Sequence, residues 1–219
     1  MLVLASASPR RQELLRNAGI PFIVQPANVD ESAREGESAK ECAERLAREK
    51  ALAVAEVRRD AWILGADTVV VVDGIMLGKP SDADDAARML RLLAGKTHEV
   101  ITGVCLIGPV ASSQLPVASK TEVRSVLIHA PGAENRHPAS GVRLLTTASE
   151  STRVTMCDLA DDEIREYVAS GEPMDKAGAY GIQGAASRWI SRIEGDYTNV
   201  VGLPVALVWR MLRGSGFLV

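Results

Sequence analysis

The stretch Trp62-Ile63-Leu64-Gly65-Ala66-Asp67-Thr68-Val69-Val70-Val71-Val72-Asp73-Gly74 decides the fold. Its apolar run is continuous and rich in β-branched residues, which suits a strand covered on both faces better than one with a wet face. Asp73-Gly74 then supplies a dipeptide suited to a tight hairpin turn. Residues 62–72 are therefore expected to form the central strand. Asp67 interrupts the run, and a carboxylate there is costly to bury without a cation or hydrogen-bond donors. Its natural roles are to hold a divalent cation on phosphates or to accept a proton from an attacking water. The plain alternative is an edge-of-sheet aspartate in solvent. Thr68 follows on the opposite face of the strand.

On the N-terminal side, Leu2 to Ala5 reads as a short buried strand, with Ser8 as N-cap, Pro9 at the first helical position and Gly19 closing a helix. Pro21 to Gln25 suggests a second strand. Ser38 and Glu41 form a capping box opening a long helix to about Arg58, and Lys50 lies on it. On the C-terminal side, Ser81 is expected to cap a helix stopped by Gly95, and Thr97 to Ile107 returns as a strand. Residues 108–150 turn to Pro, Ser, Ala and Gly with one apolar stretch, and read as an insertion carrying one hairpin. A strand over Thr152 to Cys157, a helix capped by Asp158 and ended by Gly171, a strand over Arg188 to Ile193 and a helix opened by Pro204 complete the chain. Strands alternating with helices indicate an α/β fold, and the hairpins indicate a mixed rather than all-parallel sheet.

With 219 residues, the chain is expected to form a single domain over residues 1–219 with an insertion at about 108–150. A net charge of −3 argues against a nucleic-acid backbone as partner, so any bound anion must be held locally. The first apolar run is too short to span a membrane and carries its basic residues after it, unlike a signal peptide. Cys42, Cys105 and Cys157 lack metal or redox spacing and read as buried reduced thiols, which fits a cytoplasmic location. His98, His129 and His137 share no metal-binding spacing, and Met156, Trp189 and Trp209 read as core.

Anion-binding signals are present. A strand passing through Ser6-Ala7-Ser8 into a helix turns backbone N–H groups and the positive dipole end toward an anion, and Arg10 and Arg11 add bidentate forks. The same residues also suit a plain capped helix with a basic first turn. Lys79, between Gly78 and Pro80, sits in a rigid turn from which it can project a fixed charge, although surface lysines are common. Asp30 and Glu31 offer further metal ligands or a solvated acidic loop.

Taken together, Ser6-Ala7-Ser8-Pro9-Arg10-Arg11, Gly65-Ala66-Asp67-Thr68-Val69-Val70, Gly78-Lys79-Pro80 and the stretch from Glu172 through Asp175-Lys176-Ala177-Gly178 to Gly181-Ile182-Gln183-Gly184 closely resemble the Maf-like nucleotide pyrophosphatases. The resemblance runs from Leu2 to about Leu212, interrupted by the segment from Gly108 to Glu150. It implies a two-lobed α/β fold around a nucleotide cleft, related to inosine triphosphate pyrophosphatases, and a homodimer. It also implies hydrolysis of a nucleoside triphosphate to the monophosphate and pyrophosphate with Mg2+ or Mn2+. By the same resemblance Asp67 matches the catalytic proton acceptor. Arg11, Thr68 and Gln183 match positions that set nucleotide preference, and look like the dTTP/UTP branch. Ser8, Arg10, Glu31, Lys50, Lys79 and Lys176 match polar positions around the phosphates and metal. A non-catalytic nucleotide-binding regulator of septation is the alternative, and would need no base at Asp67.

Overall fold

The computed structural model describes residues 1–110, 124–129 and 142–217. In chain order the strands are β1 (Leu2–Leu4), β2 (Phe22–Val24), β3 (Trp62–Val72), β4 (Ile75–Leu77), β5 (Thr97–Ile107), β6 (Arg124–His129), β7 (Val142–Met156) and β8 (Ile190–Glu194). The helices are α1 (Pro9–Asn17), α2 (Ala39–Ala55), α3 (Ala83–Leu93), α4 (Asp161–Ala169), α5 (Tyr197–Val201) and α6 (Val205–Gly214). Three short 3-10 turns cover Glu172–Asp175, Ala177–Ala179 and Ala185–Trp189. The fold is mixed α/β: β1 runs parallel to β2 and β3, whereas β3–β4, β6–β7 and β7–β8 are antiparallel.

The chain divides into two compact units, one of Met1–Asp67, Gly103–Ser149 and Val205–Val219, the other of Thr68–Thr102 and Glu150–Pro204. In the first unit the strands follow the order β2-β1-β3-β5-β7-β6. Val3, Ile63, Cys105, Ile107 and Leu145 of this sheet form one core with Ala47, Ala51, Val54 and Ala55 of α2. Two glycines let the helix come down onto the sheet. A Cβ on Gly65 would stand 2.1 Å from the Ala47 carbonyl oxygen, and one on Gly103 would stand 2.2 Å from that of Ala43. Side chains alternate along a strand, so Asp67 shares the helix-facing side with Ile63 and Gly65.

The far end of α2 is fastened by Arg143, which is only 1 % exposed. Its guanidinium donates to the carbonyls of Ala55 at 2.8 Å, Ala61 at 3.0 Å, Arg58 at 3.2 Å and Gly108 at 2.5 Å. A helix leaves its last carbonyls without partners, and five fixed donors suit that need.

In the second unit, β4 pairs with β3 across a turn in which Asp73 and Gly74 both have positive φ, the conformation that the dipeptide favours. The core gathers Val70 and Val72 of β3, Met89, Leu90 and Leu93 of α3, Ile164 and Tyr167 of α4, and Tyr180 and Trp189 of the 3-10 segment. His98 is buried with Nε2 2.7 Å from the Tyr180 hydroxyl, and burial lowers its pKa to about 4. Asn199, fully buried, donates to the Val100 carbonyl at 2.9 Å and the Thr152 hydroxyl at 3.0 Å.

Several local expectations shift. The cap of α3 is Asp82, whose carboxylate accepts from the Asp85 N–H at 2.8 Å, not Ser81. α4 begins after Ala160, with Glu163 closing back on the Ala160 N–H, so Asp158 caps nothing. Residues 185–189 form a 3-10 turn before β8, and β7 starts at Val142 rather than Thr152. Cys42 and Cys105 are buried, but Cys157, beyond the end of β7, is exposed. Met156 and Trp189 are core, whereas Trp209 lies on the outer side of α6 at 39 % exposure. His137, the side chain of His129 and most of the 108–150 segment lie outside the described residues.

Replacing Arg143 by Met removes the donors of four carbonyls while retaining bulk. The expected cost is on the order of 3 kcal/mol or more, read as a lower denaturation midpoint. An unchanged midpoint would contradict the fastening role.

Candidate active site

The first unit holds the charged cluster. Along α2 the buried residues fall at Cys42 and Ala43, Leu46 and Ala47, Lys50 and Ala51, Val54 and Ala55, so Lys50 occupies a position in the apolar stripe. Gly65 brings that stripe against β3 two residues before Asp67. The Lys50 ammonium lies 2.5 Å from Asp67 Oδ1 and 2.5 Å from Glu31 Oε1. The side chains of Lys50 and Asp67 are 8 % and 11 % exposed, while Glu31 is open to solvent. A buried acid–base pair is a poor stabiliser, because desolvation offsets most of its attraction.

Arg11 joins the cluster from the first turn of α1. It is buried, and its guanidinium donates to Ser6 Oγ at 3.2 Å. Burial lowers its pKa, while the charges of Asp67 and Glu31 act in the opposite direction. Ser8 is the N-cap and accepts from the Arg11 N–H at 3.5 Å. Arg10 is half-buried on the same turn.

Glu31 sits in an irregular acidic loop, and Arg45 of α2 holds that loop in place. Its guanidinium pairs with both Glu37 oxygens at 2.7 and 2.8 Å, with Glu49 at 3.2 Å, and donates to the Ser32 carbonyl at 2.9 Å. These bonds hold the Glu37 pKa down at about 2. Bidentate geometry is what distinguishes this contact from an ordinary surface pair.

The second unit carries the remaining candidates. Thr68 shares a 3.0 Å hydrogen bond with the hydroxyl of Thr102. Lys79 is exposed in its turn, and the neighbouring Gly78 carbonyl accepts from the Gly178 N–H at 3.0 Å, tying that turn to the glycine-rich segment. Lys176 is folded beneath that segment, donating to the Glu172 carbonyl at 2.5 Å and to Asp175 at 2.7 Å. A Cβ on Gly181 would meet the Lys176 stem at 2.6 Å, and one on Gly184 would overlap the Glu172 carboxylate. Glu172 also accepts from the Tyr167 hydroxyl at 2.9 Å and from the Ala185 N–H at 3.2 Å. The glycines thus close the segment around two charged side chains and leave Gln183 exposed on it. The hold of Arg45 on Ser32 and Glu37, and of Glu172 on Ala185, has no sign in the sequence, since those partners lie in irregular segments. Lys50 did give one, as a lysine in register with alanines and leucines.

A model for the family described as Maf-like protein matches residues 1–215. The chain belongs to that family. It is 50% identical over 217 residues to a protein of Koribacter versatilis (strain Ellin345) named dTTP/UTP pyrophosphatase, covering 99% of this chain and 95% of that one. A protein of the same name from Symbiobacterium thermophilum is 45% identical over 216 residues, covering 99% and 94%. One from Syntrophomonas wolfei is 47% identical over 213 residues, covering 97% and 96%. Family membership thus agrees with the resemblance carried by the serine–arginine turn, the Asp67 strand and the glycine-rich segment.

Among the described residues, no group of three or more His, Cys, Asp and Glu side chains is placed to hold a metal. The pair Glu31 and Asp67 nevertheless fits a hard divalent cation. Both offer carboxylate oxygens, and both already close on one positive charge, the Lys50 ammonium, as a stand-in ion.

The close approach at Gly65 can be tested directly. Gly65→Ala should lower stability by about 1–3 kcal/mol through overpacking against Ala47. Gly214→Ala, where a Cβ meets nothing within 4 Å, serves as the control and should not lower it. Equal melting temperatures for the two variants would contradict the role given to Gly65.

Proposed function

We propose that this protein hydrolyses dTTP and UTP, or a modified pyrimidine nucleotide, to the nucleoside monophosphate and pyrophosphate. The observation that carries the reading is a carboxylate, Asp67, on the helix-facing side of an apolar strand, paired with a lysine drawn from the apolar stripe of α2. The names of the relatives support the same reaction and the same substrates.

In this reading Asp67 accepts the proton of the attacking water. The oxygen bonds to the α-phosphorus, the α,β-anhydride bond breaks, and its electron pair leaves on pyrophosphate. Glu31 and Asp67 would hold Mg2+ or Mn2+, which would neutralise charge on the phosphate oxygens. Arg10, Lys50, Lys79 and Lys176 add positive charge for the triphosphate, and Ser8 with the first turn of α1 offers N–H donors to an oxygen. Arg11, Thr68 and Gln183 read the base. Gln183 carries both an amide donor and a carbonyl acceptor, the pair needed to meet O4 and N3–H of uracil or thymine.

Residues 1–219 work as one domain with an insertion at about 108–150, as a homodimer in the cytoplasm. Among the described residues no helix is long and apolar enough to cross a membrane.

Asp67→Asn keeps the shape but removes the base and one anionic ligand, so turnover should fall on the order of a hundredfold or more with the fold intact. Near-normal turnover by a folded variant would reject the assignment. Gln183→Ala should shrink the preference for UTP over GTP in kcat/KM by about 1–3 kcal/mol, the cost of a polar group left unpaired. An unchanged ratio would mean that Gln183 does not read the base.

A further inference from the structure

The Lys50 ammonium stands where a cation bridging Glu31 and Asp67 would have to stand. Its nitrogen is 2.5 Å from an oxygen of each. Two cations cannot share that position, so a divalent ion can bridge Glu31 Oε1 and Asp67 Oδ1 only after the ammonium has left. The helix cannot carry it away, because Gly65 and Gly103 bring the carbonyls of Ala47 and Ala43 against the sheet without room for a Cβ. The exchange must therefore occur in the side chain, and lysine is suited to it: a compact charge on a flexible four-carbon stem. The carboxylates need not follow. Asp67 is fixed in β3, and the loop bearing Glu31 is held at Ser32 and Glu37 by Arg45.

We propose that Lys50 is a resident counter-ion which occupies the two-carboxylate site until a metal–triphosphate complex displaces it, the freed ammonium then pairing with a phosphate oxygen. The inference rests on the reading of Glu31 and Asp67 as metal ligands. Its content is an order of loading. Metal alone must expel a buried ammonium from both of its carboxylate partners, whereas metal arriving with a triphosphate brings an anion to which the ammonium can move. Metal and nucleotide therefore strengthen each other's binding, and Lys50 carries part of that coupling.

The test is Mn2+ binding to the intact protein, followed by the loss of the free-ion EPR signal, with and without the non-hydrolysable analogue α,β-imido-UTP. Without nucleotide, Lys50→Met and Lys50→Gln should bind Mn2+ about tenfold or more tightly than wild type, and Lys50→Arg, which keeps the charge, should show no gain. The analogue should raise the Mn2+ affinity of wild type by about tenfold or more, and raise that of Lys50→Met by less. Melting temperatures establish that each variant is folded. Equal Mn2+ affinity in wild type and both neutral variants would overturn the proposal. So would a wild type that binds Mn2+ as tightly without the analogue as with it, a result that depends on no variant. Hydrolysis of UTP in excess chelator separates the two levels: a metal requirement without any gain in the neutral variants rejects displacement alone, and full activity without metal rejects the metal reading beneath it.

Discussion

The architecture of the first unit depends on the close approach of α2 to the sheet at Gly65 and Gly103. Without those two glycines the helix would ride higher, and Lys50 would not reach across to Asp67. The contact imposes a desolvated acid–base pair in a region otherwise filled by alanine, valine and isoleucine. An apolar pair of similar volume would serve stability as well or better. A lysine and an aspartate beside the close approach at Gly65 are thus not explained by stability, and the chemistry proposed above gives them a reason. Glu31 shares the same ammonium.

The surroundings are built to keep that pair in place. Arg143 caps the Ala55 carbonyl at the end of α2 and ties down the chain that follows it, and Arg45 ties the acidic loop back to the same helix. One helix thus positions the lysine directly and the loop bearing the glutamate through Arg45. In the second unit the glycine-rich segment is ordered differently, by folding backbone around the side chains of Glu172 and Lys176. Both devices present polar groups from irregular backbone, where a recognition residue has freedom of direction, and both anchor that backbone to a helix: Arg45 lies on α2, and Tyr167, bonded to Glu172, on α4.

Elements with a strong local signal were legible in the sequence. The run at residues 62–72 is β3 to the residue, the capping box at Ser38 and Glu41 opens α2, and Asp73-Gly74 makes the turn to β4. Errors arose where two local solutions compete. Ser81 and Asp82 are both good caps, and only the reach of the Asp82 carboxylate to the Asp85 N–H decides between them. Asp158 lost to a start at Ala160, where Glu163 closes the first turn. Size alone places Trp209 inside, although its place on α6 is set by the register of Leu207, Val208, Met211 and Leu212. For the site, the motifs name Glu31, Lys50 and Asp67 one by one, but not their pairing. The contact of Lys50 with both Asp67 and Glu31 joins residues 17 and 19 positions apart, and no local rule reports it.

The most direct test of the account is the fate of the phosphates. Purified protein with UTP and Mg2+, followed by 31P NMR, should yield UMP and pyrophosphate in equal amounts, with no build-up of UDP or orthophosphate. Formation of UDP and orthophosphate, or persistence of UTP, would contradict it.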